Sequence, residues 1–124
     1  MTVSFGTLKA DTLTHSTAGS LATNFVVEGS GKQWVNYKSA SSFETYDSFN
    51  MSSLTDNGAG NAKPVFTSTM STASYSYTAT NNLGMAVGNR DERTTSTYKV
   101  VSQNSSGTNT DTSDNSVVVH GDLA

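Results

Sequence analysis

The sequence predicts an all-β protein: an antiparallel β-sandwich of jelly-roll type, preceded by an extended N-terminal arm. Two observations carry the fold class. Thr, Val, Tyr and Phe, which suit a pleated and half-buried surface, recur along the whole chain. No window holds an apolar i, i+3, i+4, i+7 stripe over three turns, so helix signals are nearly missing. A third observation concerns the core. Leu, Val and Phe number 6, 11 and 5 and Ile is absent, whereas Ser, Thr and Asn supply 50 of the 124 residues. So small an apolar share lies under the roughly 20% mark that accompanies disorder, yet disorder also calls for a high net charge. The net charge here is −3, and five Tyr, five Phe and one Trp are present to be packed. The chain reads as folded but thinly cored. Cysteine is absent, so disulfides cannot supplement the core, and oligomerisation is the expected remedy.

The elements follow in order. Residues 1–31 form the arm: Val3, Phe5, Leu8, Leu13 and Leu21 are too sparse to bury much within one chain, and Gly29-Ser30-Gly31 reads as a joint. Within it, Val3–Leu8 and Asn24–Glu28 have strand composition. Residues 32–124 form the head, with strands expected at Gln33–Lys38, Ser48–Leu54, Val65–Thr69, Ser74–Ala79, Leu83–Val87, Thr95–Ser102 and Ser116–His120. The strongest local signal is the hairpin spanning Ser48 to Thr69. Its tip, Asp56 to Asn61, reads DNGAGN and supplies the positive φ values that tight turns need. Strict alternation puts Phe49, Met51 and Ser53 on one face and Asn50, Ser52 and Leu54 on the other. Pro64 lacks an N–H, so the return strand is expected to begin at an edge or with a bulge. Asn104 to Asn115 reads as an exposed, mobile polar loop before the closing strand.

Residues with chemical potential are few. His15 and His120 stand among twenty Ser, a background in which Ser/His/Asp sets arise by composition alone, and no G-x-S-x-G elbow exists. Glu44 with Asp47, and Asp91 with Glu92 between Arg90 and Arg93, are the carboxylate pairs a glycosidase would need. The second pair alternates sign with its neighbours and reads as a solvated turn. Asp111, Ser113 and Asn115 echo the start of a calcium loop but lack its sixth-position Gly and distant Glu. His15 would ligate a metal only if three copies met on a symmetry axis. No catalytic residue, cofactor or metal site is therefore assigned. Asn50-Met51-Ser52 and Asn104-Ser105-Ser106 match the glycosylation pattern by chance, given so many Ser and Asn. Seven basic residues against ten acidic ones leave no nucleic-acid patch. No charged leader with an apolar run and no stretch near 18 apolar residues is found, so neither secretion nor membrane insertion is expected. A partner surface is expected instead, built of Tyr75, Tyr77, Asn81, Asn82 and Tyr98, with Asn57 at the hairpin tip. Tyr joins a flat apolar face to a polar end, which suits sugars and proteins alike.

One resemblance covers most of the chain, about residues 6 to 121. The run DSFNMSSLTDNGAG from Asp47 to Gly60, then Phe66-Thr67, Met70 and Ala73-Ser74-Tyr75, resembles a module of tailed-phage fibres of the marine and cyanobacterial type. Those fibres read D-S-[FY]-N-[VI]-S-S-[IL]-T-D-N-G-T-G, then N-F-T, A-M and A-N-Y. Gln33 to Tyr37, QWVNY, is similar to their W-V-N-F strand. GTLKADTL from Gly6, STAGS from Ser16 and NFVV from Asn24 are similar to their lead-in, and Val117 to Gly121 to their last strand. Ala62-Lys63-Pro64 and Ser74 depart from the pattern. The resemblance implies a trimeric, non-enzymatic virion structural protein, made in the host cytoplasm, on a short fibre or fibre head that contacts a host surface glycan or protein. Such fibres carry the module behind a long shaft, while here the motif follows Met1 closely. A capsid decoration protein, docking on the shell through Val3, Phe5, Leu8 and Leu13 of its arm, is the alternative expectation. A glycan-processing enzyme ranks last.

Overall fold

The computed structural model describes residues 6, 10–88 and 90–124 and divides the chain into two compact units between Ser30 and Gly31. The protein is mostly β, and every strand pairing is antiparallel.

In the first unit, β1 (Thr12–His15) pairs with β2 (Gly19–Ala22), and α1 (Thr23–Gly29) follows at once. Gly19 has φ +91, a left-handed value open to glycine without steric cost, and it closes the β1–β2 turn. Thr14 and Ser20 face each other across the ladder with their hydroxyls 3.0 Å apart. Residues 12–29 are thus not an extended arm. The strand expected at Asn24–Glu28 is a helix. A strand there would need a partner for its backbone groups, whereas one helical turn after another satisfies them internally. Its start is held by Thr23, whose N–H donates to Asp11 O (2.9 Å) and whose hydroxyl donates to Ala10 O (2.6 Å). The strand expected at Val3–Leu8 lies, Gly6 apart, outside the described residues.

The second unit holds two four-stranded sheets. The first has the order β4 (Glu44–Phe49), β3 (Gln33–Lys38), β10 (Asn115–His120), β7 (Ser76–Asn81). The second has the order β5 (Met51–Asp56), β6 (Asn61–Phe66), β9 (Val100–Gln103), β8 (Met85–Gly88). Alternation decides what each strand buries. Val35 and Tyr37 of β3 and Val117 and Val119 of β10 join Ala62, Phe66 and Val100 of the second sheet in a single hydrophobic core. Met70, Tyr75 and Tyr98, from the connections, complete it. Tyr98 is the hub of its aromatic part, with ring centroids 4.9 Å from Tyr77 and 5.5 Å from Phe66.

The hairpin tip forms as the sequence suggests. Gly58 (φ +98) and Gly60 (φ +67) supply the left-handed residues, and Asn57 and Asn61 close the turn backbone to backbone at 2.9 Å. The strand before it differs from expectation. The run Ser48–Leu54 is split at Asn50, whose φ of +53 turns the chain out of the first sheet and into the second. A bulge follows between Met51 and Ser53. Alternation cannot survive both: Met51 and Leu54 pack on the core, while Phe49 stays 55% exposed on the other sheet. Pro64 lies inside β6, between β5 and β9, rather than at an edge. Its missing N–H is tolerated because the ladder to β9 thins there. Tyr98 N–H reaches Pro64 O at only 3.4 Å, and the Thr97 hydroxyl bonds the same carbonyl at 2.7 Å. The segment from Asn104 to Asn115 is largely exposed, as expected, but Thr112 and Asn115 are buried.

Candidate functional surface

The structure disperses the residues singled out as a partner surface. Tyr98 is fully buried and Tyr75 nearly so, which removes both from any docking role. Their hydroxyls satisfy the core: Tyr98 donates to Gln33 Oε1 (2.6 Å), and Tyr75 bonds the Thr94 and Thr97 carbonyls (3.1 and 2.9 Å). Burial raises both phenols, Tyr75 to about 12, with the nearby Arg93 guanidinium opposing that shift. Tyr77 is half-buried, packs on the core and donates to Lys99 O (2.8 Å). Alternation along β7 gave no warning, because Tyr75 precedes the strand and Tyr77 shares its inward face with Ala79. Asn57, at the hairpin tip, and Asn82 are exposed, but Asn82 is tied to Ser113 Oγ at 2.9 Å. Asn81 is half-buried, and its side chain accepts the Leu83 N–H.

The carboxylates are occupied with ordinary partners. Lys38 Nζ meets Glu44 at 2.9 Å and Lys99 Nζ meets Glu92 at 2.8 Å. The Lys38 ammonium is held above its usual range by that hydrogen bond and charge. Asp111 accepts the Gly60 N–H at 2.7 Å, and Asn115 accepts the Ser102 hydroxyl at 2.6 Å. The oxygens that echoed a calcium loop therefore staple that segment to the β5–β6 turn and to β9. Among the described residues, no three His, Asp or Glu side chains are grouped to hold a metal. The side chain of His15 lies outside the described ones.

Two apolar surfaces remain, one in each unit. In the first unit Leu13 and Leu21, register partners across β1 and β2, are 43% and 45% exposed. They line a groove of about 490 Å³ with Thr14, Ala18, Gly19 and Ser20. On α1, Phe25, Val26 and Val27 are exposed too, and no residue of that helix is buried. Of the arm residues named from sequence, Leu13 belongs here; Val3, Phe5 and Leu8 lie outside the described residues. In the second unit, Trp34 is 39% exposed and pairs directly with Phe49. Since Val35 and Tyr37 point inward, Trp34 points outward, and a row Phe49, Trp34, Val118, Thr78 crosses all four strands. The row beside it reads Asp47, Asn36, Ser116, Thr80. Asn36 Nδ2 is fixed by Asp114 Oδ1 (2.7 Å) and Ser116 Oγ (3.0 Å). The alternation of Gln33–Lys38 carries the signal for this face, since it sets Trp34 and Asn36 opposite to Val35 and Tyr37.

No helix among the described residues is long and apolar enough to cross a membrane. Compared with protein-family models, with curated proteins and with solved structures, the chain matches none.

Proposed function

We propose that this chain is a non-enzymatic structural protein of a tailed-phage virion, a short fibre or fibre-head module that acts as a homotrimer and contacts the host surface. In this reading the two four-stranded sheets are the layers of a β-sandwich head, supported by their joint contribution to one core. The observation that carries the reading is the uncovered apolar surface of the first unit. A two-stranded hairpin is marginal in water by itself, and a seven-residue helix with nothing buried is no better. Leu13, Leu21, Phe25 and Val27 therefore call for cover from other subunits, as a stem joining three heads provides. The engaged state of Glu44 and Glu92 in surface ion pairs favours a structural role over a glycosidase. The resemblance of Asp47–Tyr75 to fibre modules supplies the virion context.

The same unit favours a second reading, a capsid decoration protein. A compact apolar unit joined to the head through Gly31 suits docking on shell subunits as well as on copies of itself. Electron microscopy of particles labelled with an antibody to this chain separates the two. Label on the tail or its appendages supports the fibre; label scattered over the shell supports decoration; particles without label defeat both.

A further inference from the structure

The outer face of the first sheet is a binding platform for a neutral saccharide, we infer, with Trp34 and Phe49 as the stacking surface. This rests on the host-contact reading and assigns it a place. Three features point to sugar as the occupant. The first is shape: Trp34 and Phe49 are direct register partners, so two exposed aromatic side chains rise from neighbouring strands on one face of the sheet. A pyranose presents a flat array of C–H groups that packs on such rings, with its hydroxyls directed outward around the rim.

The second is what surrounds the rings. Asn36 and Asp47 lie two residues further along the same strands, about 7 Å away, within reach of the rim hydroxyls of a stacked sugar. Ser116 extends that row. Asn36 Nδ2 is committed to Asp114, Asn115 and Ser116, which leaves its Oδ1 and the Asp47 carboxylate as acceptors and the Ser116 hydroxyl as a donor for a sugar's hydroxyls. No guanidinium or ammonium belongs to either row; Lys32, beyond Trp34, is buried, and Lys38, beyond Asn36, is paired with Glu44, so a neutral ligand is matched better than an anionic one.

The third is size. At 39% and 55% exposure, Trp34 and Phe49 together offer about 200 Å² of open surface, taking the 150–250 Å² typical of such side chains. A standard protein interface needs ~800 Å² per partner. The aromatic patch is a fraction of that, but it fits one or two sugar rings.

Trp34 is the only tryptophan in the chain, so its emission reports on this site alone. The full chain is titrated with β(1→4)-linked tetramers of glucose and of N-acetylglucosamine, an α(1→4)-linked glucose tetramer and a mannose tetramer, to about 20 mM, well past the ~1 mM range of a small stacking site. At least one is expected to give a saturable change in Trp34 emission. Phe49→Ala should weaken that response about tenfold, Asp47→Ala should weaken it several-fold, and Ser105→Ala should leave it unchanged. A flat response to all four sugars overturns the inference. So does an emission shift that follows protein concentration without sugar, which would mean that a second copy covers the face. Particle labelling keeps the two claims apart. Virion label with no sugar response removes the platform and leaves the fibre; a sugar response without virion label does the reverse.

Discussion

Tyr98 shows how a thin core is made specific by single residues. Its ring meets three other tyrosine and phenylalanine rings, and its hydroxyl is absorbed by Gln33 Oε1 deep in the unit. Tyr98→Phe keeps the ring but leaves that buried acceptor without its donor, at a cost of about 1–3 kcal/mol in urea unfolding. The raised phenols add a pH dependence. Burial lifts Tyr37, Tyr75 and Tyr98 above the ordinary value near 10, so the fold holds protons that the unfolded chain gives up. Their contribution is whole below pH 10 and falls as pH rises from there through about 12. Tyr37 and Tyr98 should each remove up to about 1.4 kcal/mol per pH unit in that window, the slope steepening as the unfolded phenols ionise. Unfolding midpoints from pH 8 to 12 check this, and a flat profile above pH 10 would contradict it. Gly60 is another residue with little room to change. At φ +67 an added Cβ would press into the Ser102 carbonyl and approach Thr110 N to 2.7 Å. Gly60→Ala is expected to lose more than about 2 kcal/mol.

At the scale of elements, the crossing from β4 to β5 decides the architecture, and Asn50 makes it. Its side chain donates to Lys32 O (2.9 Å) and Ser68 O (3.1 Å) and accepts the Ser68 N–H (2.6 Å). It therefore ties the end of one sheet to the start of the other while its own backbone takes the left-handed turn. Asn is among the few residues that adopt this conformation cheaply. Replacing it with Ala removes three hydrogen bonds and adds backbone strain, about 3 kcal/mol in total; Gly removes only the bonds and costs about 2. Equal losses for the two variants in chemical denaturation would show that backbone conformation is not part of the role. The split also explains Phe49. A strand continued through residue 50 would have carried Phe49 and Met51 on one face, but the turn leaves Phe49 outside beside Trp34.

For the molecule as a whole, stability is divided unevenly. The second unit has its own core, while the described part of the first buries no large side chain of its helix or hairpin. Under the trimer reading that surface is what subunits share. The double variant Leu21→Asp and Val27→Asp in the full chain should reduce the native mass from three subunits to one and leave the head folded by circular dichroism. An unmodified chain of single-subunit mass would remove the trimer. Retained mass in the double variant would move the contact elsewhere.

Composition by itself determined that the protein is β, because Thr, Val and Tyr fit a pleated surface and no apolar stripe has helical period. Local chemistry determined β3, β10 and the Asp56–Asn61 turn, where alternation and Gly-Asn tips act over a few residues. The sequence could not decide which tyrosines face inward, since a Tyr serves equally as core and as surface until its neighbours across the sheet are known. It also concealed the helix at Thr23–Gly29, whose Val and Phe favour a strand only when another strand is there to pair with it. Tertiary structure alone set Trp34 beside Phe49, fifteen residues apart in sequence and joined only by the β3–β4 register. Surfaces of this kind arise from pairing between strands, which is a property of the sheet rather than of any run of residues.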